Sequence, residues 1–274
     1  MTNFGAVMPP TIEGNNPSTD SLFGSGRLDR MVAWRWIFIA LLGFICAQIT
    51  SVGLLYAVAA VKGDSSAVGA FSKLASPPQW VVLSSLLGLW IGFIGAPVVA
   101  SRLQGAPTAL GFSFRWIDLA GVGVGIASQL LIGLIYRPFI RHIKDFSGPV
   151  HKLTGSSHGA GLWVIALFTV IGAPIAEELF FRGLLYRGLE GSIVGGRGAA
   201  YIATSIGAIV LDGTLFGAAH FELAQFAGLA IFGAILATVF RLTGRLGMSI
   251  VSHATFNALA IISVATTGSF LWHL

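Results

Sequence analysis

The side chains able to do chemistry fall in three short sets: Glu177-Glu178 with Arg182, Phe216 with His220, and His253 with Asn257. Glu178 and Arg182, Phe216 and His220, and His253 and Asn257 are each spaced i, i+4, which puts both members on one face of a helix. Glu178 precedes Arg182, the order that favours an ion pair along a helix. Glu177 points about 100° away from Glu178 on an α-helix and has no cation one turn on. It is left free to act as a base. Hydrolysis of a peptide bond needs a base for water, donors for the developing oxyanion and a proton for the leaving amine. Glu177 can supply the first; His220, His253 and Asn257 can supply the donors.

Such a site forms only if its carriers converge, and composition says where they lie. Of the 274 residues, 55% are hydrophobic and 10% charged, against about 25% charged in a soluble domain. A chain this apolar must face lipid. Crossing the hydrocarbon core takes about 20 apolar residues in a helix. That rule predicts seven spans, at roughly 34–61, 79–101, 117–137, 161–189, 198–220, 223–243 and 246–271. The expected fold class is all-α, a polytopic transmembrane helical bundle of about seven spans, with six to eight as the range. The three sets then lie on the fourth, fifth and seventh spans.

The breaks between spans are chemically marked. Lys62-Gly63-Asp64 ends the first, Pro77-Pro78 precedes the second, and Arg102 with Gly105 and Pro107 ends it. Residues 137–158 carry Pro138, Arg141, Lys144, Asp145 and Lys152 and read as an extramembrane or interfacial connection. His220-Phe221-Glu222 leaves no room for a long loop, so the fifth and sixth spans form a tight hairpin or include a re-entrant piece. Gly121 and Gly125 have the GxxxG spacing of close helix packing. Residues 1–30, rich in Pro, Gly, Asn, Ser and Thr, read as a disordered tail. The first span is too long and starts too late for a cleaved signal peptide.

The net charge of +5 does not imply nucleic acid, because the bases sit between apolar runs where they meet headgroups. Arg27, Arg30, Arg35, Arg102, Arg115, Arg187, Arg197, Arg241 and Arg245 share one side of a seven-span chain; Lys62, Lys73, Arg137, Arg141, Lys144 and Lys152 share the other. The balance predicts a cytoplasmic N-terminus, against the basic 137–158 connection. Cys46 is the only cysteine, in the first span and far in sequence from every His, so neither a disulfide nor a cysteine nucleophile is expected. Ser252 adjoins His253 but points to another helical face.

Ionisable residues at the bilayer centre cost at least about 2.5–3.5 kcal/mol each on insertion scales, so those in the fourth, fifth and seventh spans need a reason. Two His and a Glu are also a zinc ligand set. The residues after His220 read Phe221-Glu222-Leu223-Ala224, which is not HExxH, and neither metal nor other cofactor is expected. A non-catalytic membrane binding or immunity protein, or a proton-coupled transporter using Glu, His and Asp212, remains an alternative. No repeated halves of the transporter kind are visible.

Taken in order, Glu177-Glu178-x-x-x-Arg182, Phe216-x-x-x-His220 and His253-x-x-x-Asn257 resemble the three motifs of the CAAX protease and bacteriocin-processing family, which includes the Ras-converting CAAX endopeptidase. The preceding Ala173-Pro174 and the following Gly183-Leu184-Leu185 fit the first motif as well, and the resemblance covers roughly residues 160–265. It implies an intramembrane, metal-independent glutamic endopeptidase. Glu177 and His220 would activate water, His253 and Asn257 would form the oxyanion hole, and Glu178 and Arg182 would support them. It divides the chain into the tail (1–30), N-terminal transmembrane helices (31–158) and a catalytic transmembrane core (159–274). The implied partners are membrane lipids and a peptide or protein substrate, lipidated or not, with no nucleic acid. With no transit peptide, the expected location is a prokaryotic plasma membrane, as a multi-pass protein.

Overall fold

The computed structural model describes residues 28–66, 77–105, 110–139, 148–154 and 159–267. Most of the expected tail, residues 1–27, lies outside them, as do 268–274 at the end of the last expected span. The described residues are helical, without strands, and seven helices are long and apolar enough to cross a membrane. They are α1 (Arg30–Lys62), α2 (Gln79–Leu103), α3 (Trp116–Tyr136, opening with a 3-10 turn), α5 (Ala160–Ile193), α6 (Ala199–Ala218), α7 (Phe226–Thr243) and α8 (Leu246–Thr267). The short helix α4 (Gly148–Thr154) lies in the described part of the polar connection.

Local chemistry sets the helix ends. Asp29 caps α1 by accepting from the Met31 N–H at 2.9 Å. At its other end Gly63 adopts φ 67 and donates to Ala59 and Ala60, a left-handed cap that glycine takes without steric cost. The turn between α6 and α7 has no such residue. Phe221 sits there at φ 53, the one non-glycine residue with positive φ among those described. A bulky side chain in that region is strained, a state found where surrounding structure holds it for function.

Small residues let the helices approach, since lipid leaves no hydrophobic force to drive helix association. Gly88 and Gly92 of α2 lie against the α1 backbone around Ala47, Thr50 and Ser51, and Thr50 Oγ1 donates to the Gly88 carbonyl at 2.6 Å. Gly121 and Gly125 press on Met248, Ser252 and Thr255 of α8, the close packing their spacing predicts. Gly213 and Gly217 of α6 meet Ala230 and Ala234 of α7, so the fifth and sixth spans form a tight hairpin. Three helix pairs result (α1 with α2, α3 with α8, α6 with α7), and α5 touches α1, α2, α6, α7 and α8.

The fourth span is where the structure departs from a regular helix. α5 contains two wide π-helical segments, Phe168–Gly172 and Leu179–Tyr186, on either side of the α-helical stretch Ala173–Glu178. Such bulges concentrate at functional sites, and this pair brackets the two adjacent glutamates.

One end of the bundle is tied by charge. Arg241 pairs with Glu190 and donates to Tyr201 Oη at 2.8 Å and Ser205 Oγ at 3.0 Å. Arg245 pairs with Asp118 at 2.7 Å. These arginines belong to the set that the charge balance puts on the cytoplasmic side. With Cys46 replaced by alanine, cysteines placed at Ser66 and Gln104 flank α2 alone. Impermeant thiol reagents are expected to label Ser66→Cys from outside and Gln104→Cys only from the cytoplasm. Labelling of both from one side would show that α2 does not cross.

Candidate active site

The three motif helices turn their polar faces to one point. Glu177 and Glu178 come from the α-helical stretch of α5, His220 from just past the end of α6, and His253 from the first half of α8. Nε2 of His220 lies 3.9 Å, and Nε2 of His253 3.8 Å, from the same Oε2 atom of Glu177. That oxygen is buried and makes no hydrogen bond. The distances exceed direct hydrogen bonding, and a gap of this size fits one small bridging group.

Each imidazole is oriented by its other nitrogen. Nδ1 of His220 is 2.8 Å from the Phe216 carbonyl, four residues back in the last turn of α6. A carbonyl only accepts, so Nδ1 carries the hydrogen and the neutral ring presents a lone pair at Nε2. The same bond satisfies one of the orphan carbonyls of a helix C-terminus. Nδ1 of His253 is 2.9 Å from Glu178 Oε1, so a carboxylate aims that ring. Phe216 lies between them, with ring centroids 4.8 Å from His220 and 5.6 Å from His253. Phe232 meets His253 edge-on at 5.5 Å and stacks on Phe256 at 3.9 Å.

Beneath the imidazoles lies the buried cation. Arg182 donates from Nη1 to Glu178 Oε1 at 2.9 Å, the i, i+4 pair expected from sequence. Nη2 donates to the Gly233 carbonyl of α7 at 2.9 Å. Nε faces Asp212 Oδ2 of α6 at 3.6 Å, and the guanidinium stacks 4.5 Å over the Phe216 ring. Arg182, Glu178 and Asp212 are all completely buried. Asp212, which the sequence leaves open as a relay member, is therefore the second carboxyl group beside Arg182. Its spacing, one turn before Phe216, hints at that face, but its partner is 30 residues away in the chain.

Asn257 stands apart from this cluster. It follows His253 by one turn, and its Nδ2 donates to the Thr169 carbonyl in the first π-segment of α5, at 2.9 Å. Among the described residues, no group of three or more His, Cys, Asp and Glu side chains is arranged to hold a metal ion.

Residues 159–259, which hold all three motif sets, match the family model described as Rce1-like, type II CAAX prenyl endopeptidase. Over this segment the chain is similar to the CAAX protease family. No curated protein and no solved structure matches the chain. The matched segment begins with α5 and ends within α8, so the helices that carry the site are those the family model covers.

The charge arrangement makes a testable ordering of stabilities. Arg182→Met leaves two buried carboxyl groups without their cation, a loss of the kind that costs about 3–5 kcal/mol. Glu178→Gln leaves the Arg182–Asp212 pair in place and is expected to cost less. Adding Asp212→Asn to Arg182→Met is expected to recover part of the loss. Melting temperatures in detergent check the order, and a Glu178→Gln variant less stable than Arg182→Met would contradict it.

Proposed function

We propose that this chain is an intramembrane endopeptidase that hydrolyses a peptide bond of a membrane-associated or lipidated substrate, with Glu177 as the base. One observation carries the reading. A buried carboxylate oxygen without a hydrogen bond lies within 4 Å of Nε2 of two imidazoles on two other helices. The family of the segment, named for endopeptidases, supplies the reaction class.

Water bound between Glu177 and His220 meets a carboxylate and an imidazole lone pair, either of which takes a proton. The hydroxide oxygen forms its bond to the substrate carbonyl carbon, and the carbonyl electron pair moves onto oxygen. His253 faces that oxyanion from Nε2 when it carries its second proton. Asn257, with one amide hydrogen engaged by Thr169, has one left to offer. The proton taken from water then passes to the leaving amine as the C–N bond breaks. Donors fixed in advance in a water-poor site are worth far more than the same groups in water. Glu178 and Arg182 hold His253 to this geometry.

The site sits within the bilayer. Phe221, next to His220, meets Phe44 of α1 at 6.3 Å between ring centroids. The α6–α7 turn is therefore level with the middle of α1, which runs on past it to Lys62. A substrate reaches Glu177 from within or alongside the membrane, which suits a prenylated C-terminal peptide, a bacteriocin leader or a membrane-anchored regulator. The multi-pass chain is placed in a prokaryotic plasma membrane with its N-terminus cytoplasmic.

Glu177→Gln keeps size and hydrogen bonding and removes the base. It is expected to abolish cleavage of a labelled peptide library while the melting temperature stays near that of the unaltered protein. Normal cleavage by this variant would overturn the glutamate mechanism and bring a binding or proton-coupled role forward. Strong chelators are expected to leave cleavage intact, and a loss restored by zinc would point instead to a two-His, one-carboxylate metal site.

A further inference from the structure

We propose that Arg187 binds the phosphate of an anionic phospholipid, at the end of the bundle where α5 passes the turn between α7 and α8. Among the described residues, Arg182, Arg187, Arg241 and Arg245 are the arginines drawn out of solvent. Three of them have a carboxyl group. Arg182 lies beside Glu178 and Asp212, Arg241 pairs with Glu190, and Arg245 pairs with Asp118. Arg187 is only 8% exposed, yet it forms no ion pair among the described residues. Glu190, nearly one turn on, is engaged by Arg241. Nη2 of Arg187 reaches the Gly244 carbonyl at 3.4 Å, which is long for a hydrogen bond. Nε is buried without a partner, and the Phe240 ring centroid lies 4.9 Å from the guanidinium carbon. A carbonyl and a ring do not supply the counter-charge that a buried cation requires.

The backbone is built closely around this cation. Gly111, at φ 71, lies against it, and a Cβ there would come to 3.0 Å from Nη2 and 2.8 Å from the Gly244 carbonyl. The Gly111 carbonyl accepts from the Leu246 N–H at 2.8 Å, so the segment before α3 is tied to the α7–α8 turn beside the guanidinium. Depth then points to the ligand. α7 ends at Thr243 and α8 begins at Leu246, which puts Arg187 level with helix ends, where headgroup phosphates lie. Directly after Gly111, Phe112, Phe114 and Trp116 are exposed, aromatic side chains of the kind that mark a bilayer surface. Arg30, at the start of α1, and Arg115, before α3, are exposed as well and add positive potential. Basic pockets between transmembrane helices at this level take lipid headgroups, and two phosphate oxygens match the paired N–H groups of a guanidinium.

This site does not depend on the peptidase reading, and melting temperature tests it. The full chain, Arg187→Met, Arg187→Gln and Arg30→Gln are compared in a maltoside detergent, which carries no phosphate, before and after phosphatidylglycerol is added. Without lipid, Arg187→Met is expected to melt no lower than the unaltered protein, because it removes a buried cation that lacks a counter-charge. Phosphatidylglycerol at about 100 times its dissociation constant is expected to raise the unaltered protein by about 5 °C and Arg187→Met by less than about 1 °C. The order of the two proteins therefore reverses. Arg187→Gln is expected to behave as Arg187→Met does and serves if that variant fails to fold. Arg30→Gln, which neutralises an exposed arginine at the same end, is expected to keep the full rise. Equal rises in the unaltered protein and both Arg187 variants would overturn the proposal, as would loss of the rise in Arg30→Gln, which would reduce it to general charge attraction. An equal rise with phosphatidylcholine, or with inorganic phosphate alone, would overturn the assignment to an anionic lipid. Melting of both Arg187 variants below the unaltered protein without lipid would overturn it too, by showing that the carbonyl and the ring suffice.

Discussion

A guanidinium with no access to water must have its charge answered inside the protein, and the geometry around Arg182 follows from that demand. Its partners come from three helices: Glu178 of α5, Asp212 of α6 and the Gly233 carbonyl of α7. A fourth helix joins through Glu178, which accepts from His253 of α8. Removing one member of such a set leaves buried charge uncompensated, a far larger effect than the net worth of the intact pair. The helices are thereby held to one mutual arrangement, in a solvent that supplies no hydrophobic force to select it.

The two glutamates divide along this line. Glu178 is fully buried and engaged by a cation and an imidazole. Glu177, one residue earlier, is 13% exposed and presents an oxygen with no hydrogen bond to two imidazole nitrogens. Adjacent positions on a helix face different directions, so one short segment reaches both the structural charge cluster beneath and the reactive space above. The imidazoles are aimed by different means. A helix-end carbonyl holds His220 and a buried carboxylate holds His253, and second partners of this kind set which nitrogen carries hydrogen.

Backbone irregularity is concentrated at the same place. Two π-segments flank the glutamates, Pro174 interrupts the donor ladder between them, and Phe221 adopts a strained conformation beside His220. Asn257 of α8 donates to the Thr169 carbonyl in the first of these segments.

Much of this was legible in the sequence because it depends on local spacing and on solvent. Apolar runs of about 20 residues divided by charges and prolines determine the number and approximate limits of the spans, since lipid tolerates little else. The i, i+4 spacing of Glu178 and Arg182 determines their pairing, which the π-segment that begins between them does not disturb. Tertiary structure alone decided what depends on contacts between distant segments. Asp212 reads as an isolated acid until α6 packs on α5 and puts it 3.6 Å from Arg182. Asn257 reads as a companion of His253, because they share a helical face, until α8 packs on α5 and its amide donates to the Thr169 carbonyl. The bulge itself leaves no periodic trace in an all-apolar stretch, where one residue more or less per turn exposes no polar group to the wrong side. A helix's own spacing is written in the chain, whereas the partner of a buried polar atom is fixed only when helices meet.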